Sequence, residues 1–489
     1  MPLKSVDEYS FLISLQKIHF GFQDWDLEQI FSFGFYSYGF PYFFLCYILS
    51  YFAISDSDYN TVLLISRSVS AVASFFFMYI VGLLAGKWSN DKKFQILSQM
   101  VLLPIPGIFL NSTWFHPDIL MSTFVLSSVI LFHNSKLVFK KFGLVLFGLA
   151  LCTKIQAILF MPIIGLIYLT QNKHQNYLSI FQGIIKLVTV PSIIYIIGNP
   201  YILHPKGFSA WLSAFLYNIN SNKTNHNTNI NLSYIDRLEW GLFKFYLPAF
   251  IFTIIVLFSI LNIIKKLIKK EFSLDFYISV TFLSQILYLV TQVNKGWHHY
   301  YLTSVLAAII LISFFASRLK NNGNFMLIML MIAFSSSFKD FWLQEVKNRI
   351  DLTVSSDNTR YQYRSSIVRL GDTEEYTDEL AEMTRLLNLS DTAFLIPAFL
   401  PFSDTMITNK SGLPTPIFKD IADHIEQLSS WHDHLRSVVI IRPIGSNLLS
   451  SNQDYESVLN KKFAKFFNEN NKLDISKGIN FEMVKVNLN

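Results

Sequence analysis

Two adjacent carboxylates, Asp7 and Glu8, stand near the start of a chain that is otherwise short of charge. The other ionisable groups that lie beside or inside apolar stretches are Arg67, His116 with Asp118, Lys154, and Lys295 with His298 and His299. Acids opposite several cations suit one kind of chemistry. A carboxylate can accept the proton of an attacking hydroxyl, and cations can hold a phosphate that departs without being protonated. A phosphate still attached to a lipid would remain in a bilayer after it left. Asp7, Glu8 and Asp118 are therefore the catalytic candidates. Arg67, His116, Lys154, Lys295, His298 and His299 are the candidates for substrate binding.

These groups need a scaffold. Of 489 residues, 52% are hydrophobic and only 15% charged, and the mean hydropathy of +0.36 places the chain among polytopic membrane proteins. Apolar segments fall at 39–54, 62–86, 96–110, 119–133, 142–170, 180–198, 242–264, 275–293, 301–316 and 325–338, which predicts about ten membrane segments. From residue 339 the character becomes mixed and polar. β-like runs at AFLIPAF (393–399), SVVIIRPI (437–444) and FEMVKVNL (481–488) alternate with helical-looking stretches such as GDTEEYTDELAEMTRLLNL. The expected fold is thus an α-helical polytopic membrane module over 1–338, followed by a small α/β soluble domain over 339–489. No solenoid repeat and no low-complexity tract is visible. No small-residue cleavage site follows the first apolar run, so no cleavable signal peptide is expected.

Loop charge predicts orientation. Lys87, Lys92 and Lys93, then Lys136, Lys140 and Lys141, then Lys173, then Lys265, Lys266, Lys269 and Lys270, then Arg318 with Lys320 occupy five short connections, which the positive-inside rule assigns to the cytoplasm. These lysines account for the net charge of +6 without invoking nucleic acid. NSTWFHPD (111–118), the stretch from NPYILHPKGF to 241, NKGWHHYY (294–301) and the C-terminal domain then face outward. For the lysine loops to alternate, 142–170 has to be a hairpin broken near CTKIQ with Lys154 at its outer tip. A lysine at mid-bilayer costs roughly 2.5 to 3.5 kcal/mol on insertion scales, which favours such a break. Segment 39–54 is short, aromatic and contains Pro41, so it reads as lying in the interface, with Asp7 and Glu8 outside.

In this order and at these spacings DEYSFL, YGFPYFF, ISRSVSAV, WFHPDILM, GLALCTKIQAILFMP and GNPYILHPKGFSAWL resemble the GT-C membrane glycosyltransferases of the protein mannosyltransferase and aminoarabinose transferase type. The resemblance covers roughly residues 6–315. It implies transfer of a sugar, with inversion, from a polyprenyl-phosphate carrier to a glycan, lipid or protein acceptor on the non-cytoplasmic face. It implies Asp7 as the base with Glu8 beside it. The family places a membrane helix before this acidic pair, whereas MPLKSV precedes it here, which reads as an internal Met1 or a member without that helix.

Structural alternatives exist for each group. Asp7 and Glu8 suit a first helical turn, and Asp118 an N-cap. Lys154 can snorkel, Lys295 with WHHYY can form an aromatic belt, and Asn199-Pro200 can stop a helix. The acidic stretch from Asp372 to Glu382 suits a solvated helix face. Cys46 and Cys152 lie in apolar segments and read as packing residues. No cofactor is required. A divalent metal is compatible with the residues, although no paired-histidine motif at helical spacing is present. Two other activities compete with the transferase: a polymerase or ligase using lipid-linked oligosaccharide, and a transporter or flippase. The latter should show internal repeats and mid-membrane ionisable groups, neither of which is evident. The expected location is a bacterial inner membrane, with the C-terminal domain periplasmic.

Overall fold

The computed structural model describes residues 6–32, 38–55, 59–134, 136–224, 231–319 and 322–343, together with strand segments 392–397, 412–415, 436–443, 474–477 and 481–487. The stretch 371–389 expected to be helical lies outside these residues, as does Lys320. The chain divides into two compact units. One comprises Ser10–Lys223 with Leu232–Gln344, and the other Met1–Tyr9, Thr224–Asn231 and Glu345–Asn489.

The larger unit is helical. Its main elements are α1 (Val6–Gln23, from Ser10 onward), α2 (Phe40–Leu49), α3 (Tyr59–Ser89), α4 (Asp118–Phe132), α5 (Leu137–Thr153), α6 (Met161–Gln171), α7 (Tyr177–Gly198), α8 (Pro205–Thr224, to Lys223), α9 (Ala249–Lys269), α10 (Leu274–Gln292), α11 (His298–Ser317) and α12 (Gly323–Ser337). Among the described residues five helices are long and apolar enough to cross a membrane: α3, α7, α9, α10 and α11. Shorter apolar helices account for several of the remaining expected segments. Segment 39–54 becomes the ten-residue α2, with Pro41 in its first turn, and a separate short helix, Tyr51–Ser55. Ten residues span about 15 Å, half the hydrocarbon thickness. Segment 96–110 is interrupted between Met100 and Pro106, since Pro104 and Pro106 cannot continue the hydrogen-bond ladder of a helix.

Hydrogen bonds and ring contacts fix which helix ends meet. At one end Trp88 of α3 packs edge-on against Phe314 of α11, and Asn324 donates to Asp91 at 2.9 Å. Gln171 of α6 donates to the His133 carbonyl at 2.9 Å, and the His133 ring lies 5.5 Å from Tyr277 at the head of α10. Lys266 pairs with Glu271 at the same end. Every basic connection whose position is described, from Lys87 to Arg318, is therefore gathered there. The opposite end collects the heads of α4 and α11 and the tails of α5 and α10. Ser122 and Thr303 share a hydrogen bond of 2.7 Å between α4 and α11, and Arg237 donates to the Val290 carbonyl at 2.6 Å. Helix α11 is the central rod, with nearly every side chain from Tyr301 to Ile312 buried.

The smaller unit contains a mixed five-stranded sheet of order β2-β1-β3-β5-β4, with β1 (Thr392–Pro397), β2 (Gly412–Thr415), β3 (Ser437–Pro443), β4 (Asp474–Lys477) and β5 (Phe481–Asn487). Strand β1 is parallel to β2 and β3, and β5 is antiparallel to β3 and β4. Strands β1, β3 and β5 coincide with the three runs read from their β-branched and apolar content. Val438, Val439, Ile440 and Val484 are fully buried at the β3 to β5 pairing.

Candidate active site

The tail of α5 sets the first part of the site. The helix stops at Thr153, Lys154 is extended (φ −156°, ψ 124°), and a 3₁₀ turn, Ile155–Phe160, follows. What holds the break is a strand-like bridge between Lys154 and Tyr38, beside which the Gly39 amide donates to the Thr153 carbonyl at 3.1 Å. Only glycine fits there, because a Cβ on Gly39 would sit 1.5 Å from the Cys152 carbonyl oxygen. Asn199 ends α7, as its Asn-Pro pair suggests, and also steadies this loop: its side-chain oxygen accepts from the Phe40 amide at 2.9 Å.

The break directs the Lys154 ammonium at Asp118, with Nζ 2.6 Å from Oδ1 and both side chains almost wholly buried. Asp118 is not the N-cap of α4. That position is Pro117, which has no capping side chain, and Asp118 is the first helical residue. Its carboxylate is therefore turned to Lys154 on one oxygen and to His116 Nδ1 on the other. His116 is held on several sides. Trp114 stacks on its ring at 4.3 Å, the Tyr38 hydroxyl lies 3.3 Å from Nε2, and the Ser70 hydroxyl donates to its carbonyl at 3.1 Å. Phe11 of α1 closes another face, with ring centroids 5.5 Å apart.

The head of α11 brings the remaining rings. His299 lies 5.1 Å from His116, and His298 stacks at 5.7 Å on Trp114. Buried Lys295 donates to Ser221 at 2.8 Å. The ring of Tyr300 lies 5.4 Å from the Lys154 ammonium and 5.7 Å from that of Lys295, in cation–π contact with both. Arg67 is buried on α3, one helical turn before Ser70. Thus His116, Asp118, Lys154, Lys295, His298 and His299 form one connected cluster, with Arg67 on the helix that bonds to it. Asp7 and Glu8 occupy the first turn of α1 within the other unit, where Glu8 is fully buried.

Several contributors were not apparent from the sequence: Tyr38, Trp114, Ser70, Ser221 and Tyr300. The glycine beside Tyr38 and the aromatics of WFHPD and WHHYY are the only signals that could have pointed to them. A second ion pair, Lys206 with Glu28 at 3.0 Å, is exposed and also bonded by Tyr201. The hydrogen bond and charge of Lys206 hold the Glu28 carboxyl below its ordinary range.

A divalent metal would find donors in His116, Asp118 and His299, which each offer an atom within 4.8 Å of the others. A carboxylate with two imidazoles is a common donor set. Here, however, Lys154 already neutralises Asp118, so the cluster has no excess negative charge to recruit a cation.

No protein-family model and no curated protein matches the sequence significantly. The structure does resemble solved ones. ArnT from Cupriavidus metallidurans bound to undecaprenyl phosphate aligns over 97% of this chain and 93% of that one, with a TM-score of 0.55 at 8% identity. The chain shares the fold of ArnT. This is the GT-C fold that the ordered sequence motifs imply. The apo state of ArnT aligns over the same shares with a TM-score of 0.48.

Proposed function

We propose that the protein transfers a sugar from a polyprenyl-phosphate carrier to an acceptor hydroxyl. The observation that carries this reading is the buried cluster of Lys154, Asp118, His116, His299 and Lys295 at one end of an ArnT-like helical fold. The ArnT structure holds undecaprenyl phosphate, a ligand whose charge is what such a cluster suits.

In this mechanism Asp7, with Glu8 beside it, takes the proton of the acceptor hydroxyl. The oxygen attacks the anomeric carbon from the face opposite the phosphate, the bond from that carbon to the phosphate oxygen breaks, and the configuration inverts. Lys154, Lys295 and Arg67 receive the negative charge that develops on the phosphate, with His116, His298 and His299 as hydrogen-bonding partners. Asp118 contributes by holding Lys154 and His116 in place. Because the basic connections gather at the end away from the cluster, the site is assigned to the non-cytoplasmic face of a bacterial inner membrane. The C-terminal domain, residues 339–489, is assigned to the periplasm.

The test is release of undecaprenyl phosphate from labelled undecaprenyl-phosphate sugars by the protein reconstituted in liposomes with a cell-envelope acceptor fraction. The intact protein should release it, and Asp7→Asn should abolish release while leaving insertion and folding intact. Near-normal turnover by Asp7→Asn removes that residue from the base role. No release with any lipid-linked donor refutes the transferase reading.

A further inference from the structure

A narrow cleft runs from the Asp118 cluster between α4, the 3₁₀ turn after Lys154, the end of α8, the last turns of α10 and the head of α11. Its walls include Asp118, Gln156, Asn222, Gln285, Tyr288 and His299. Two features of this lining are unexplained by packing. First, among the described residues the side-chain amides of Gln156 and Gln285 and the ring of His299 make no hydrogen bond with protein. Gln285 is only 8% exposed and His299 only 7%, so these polar groups face the cleft and little else. Their polar atoms are not among those sealed from solvent, so they are open to a ligand that enters the cleft.

Second, the charge of the lining is lopsided. Among the described residues Asp118 is the one carboxylate in the wall, and it is engaged by Lys154 at 2.6 Å and by His116. Lys295 adds a further cation 5.7 Å from the ring of Tyr300, which is itself a wall residue. The cleft therefore offers uncharged donors and acceptors inside a positive surround.

We propose that this cleft holds an uncharged, polyhydroxylated sugar head group and discriminates against amino sugars. The assignment rests on the transferase reading above and names its donor class. A primary amide carries both donors and an acceptor, and so satisfies the two-way hydrogen bonding of a hydroxyl. The aromatic walls supply faces for the ring C–H surface. An ammonium on the sugar would meet Lys154 and Lys295, whereas the carboxylate among the described lining residues, Asp118, is already engaged by Lys154 and His116.

The experiment compares binding of three lipids to the full-length protein in nanodiscs by calorimetry: undecaprenyl phosphate alone, its neutral hexose ester, and its 4-amino-pentose ester. The neutral ester should bind at least about tenfold more tightly than either of the other two, the equivalent of about one to two well-formed hydrogen bonds. Gln285→Leu should remove this increment while leaving the affinity for undecaprenyl phosphate unchanged. Gln156→Leu, at a less buried position, should do the same in part and guards against a folding defect in the first variant. Gln285→Glu should move the preference toward the amino sugar. Equal binding of undecaprenyl phosphate with and without a neutral sugar, or tighter binding of the amino-sugar ester by the unmodified protein, overturns the cleft assignment alone. Failure to bind undecaprenyl phosphate itself overturns the transferase reading with it.

Discussion

Replacing Lys154 with Met separates what the buried ion pair does for folding from what it does for chemistry. Lys154 Nζ lies 2.6 Å from Asp118 Oδ1, and the two side chains are 3% and 2% exposed. Removing the ammonium leaves a carboxylate almost without water and with His116 as its remaining close polar contact. Breaking one side of a pair this deep costs about 3 to 5 kcal/mol. That is a large fraction of the roughly 5 to 15 kcal/mol that typically separates folded from unfolded protein. Replacing both partners, as Lys154→Met with Asp118→Leu, removes the desolvation penalty along with the attraction. Stability should then return to within about 1 to 2 kcal/mol of the parent. Transfer should not return, because the double variant still lacks the ammonium assigned to the departing phosphate. The assay is equilibrium unfolding of the three variants in mixed micelles, paired with undecaprenyl phosphate release. A loss below about 1 kcal/mol in Lys154→Met, within the range of an exposed pair, would refute the buried-pair argument. A double variant that transfers sugar normally would refute the catalytic role.

Gly39→Ala should destabilise the bridge that turns Lys154 out of its helix, since backbone meets backbone there; a lowered melting temperature with reduced turnover is expected, and unchanged values for both would contradict the close approach. Arg67→Lys keeps the charge but loses the planar fork, so binding of undecaprenyl phosphate should weaken by about tenfold, corresponding to one charge-assisted hydrogen bond; calorimetry that finds equal affinity removes Arg67 from phosphate contact. The Lys206 to Glu28 pair predicts a pH dependence. Its carboxyl is depressed when folded, so the stabilisation is present above the unfolded carboxyl's titration and is lost as pH falls through the lower folded value. Melting curves of the parent and Lys206→Ala should accordingly differ slightly near neutrality, less in high salt, and converge in acid; a gap that widens in acid contradicts the sign.

Much of the cluster was legible because burying charge is so unfavourable that each ionisable side chain among apolar ones demands a reason. Lys154 is the clearest case: its position inside a long apolar run predicted a break, and the helix stops one residue before it. His116, Asp118, His298 and His299 were nameable for the same reason. Their mutual arrangement was not, since Tyr38 meets Lys154 through a contact between segments more than a hundred residues apart that only the absence of a Cβ permits. Asp118 was also open to a capping role, and a proline in the cap position decides against it. Hydropathy predicted about ten segments without distinguishing long spans from short helices. Pro104 and Pro106, and the interruption at Ser50, divide apolar runs that composition alone joins.

The sorting of charge to opposite ends of the helices bears on supply. Helix α11, twenty residues long, places about 30 Å between the histidines at its head and the arginine past its tail. A head group synthesised on the leaflet of the basic loops could not reach across that distance while its isoprenoid chain stayed in its own half of the bilayer. On the proposed transferase reading such a donor must be turned over before it is used, and the rate of that inversion then sets an upper bound on turnover in the cell.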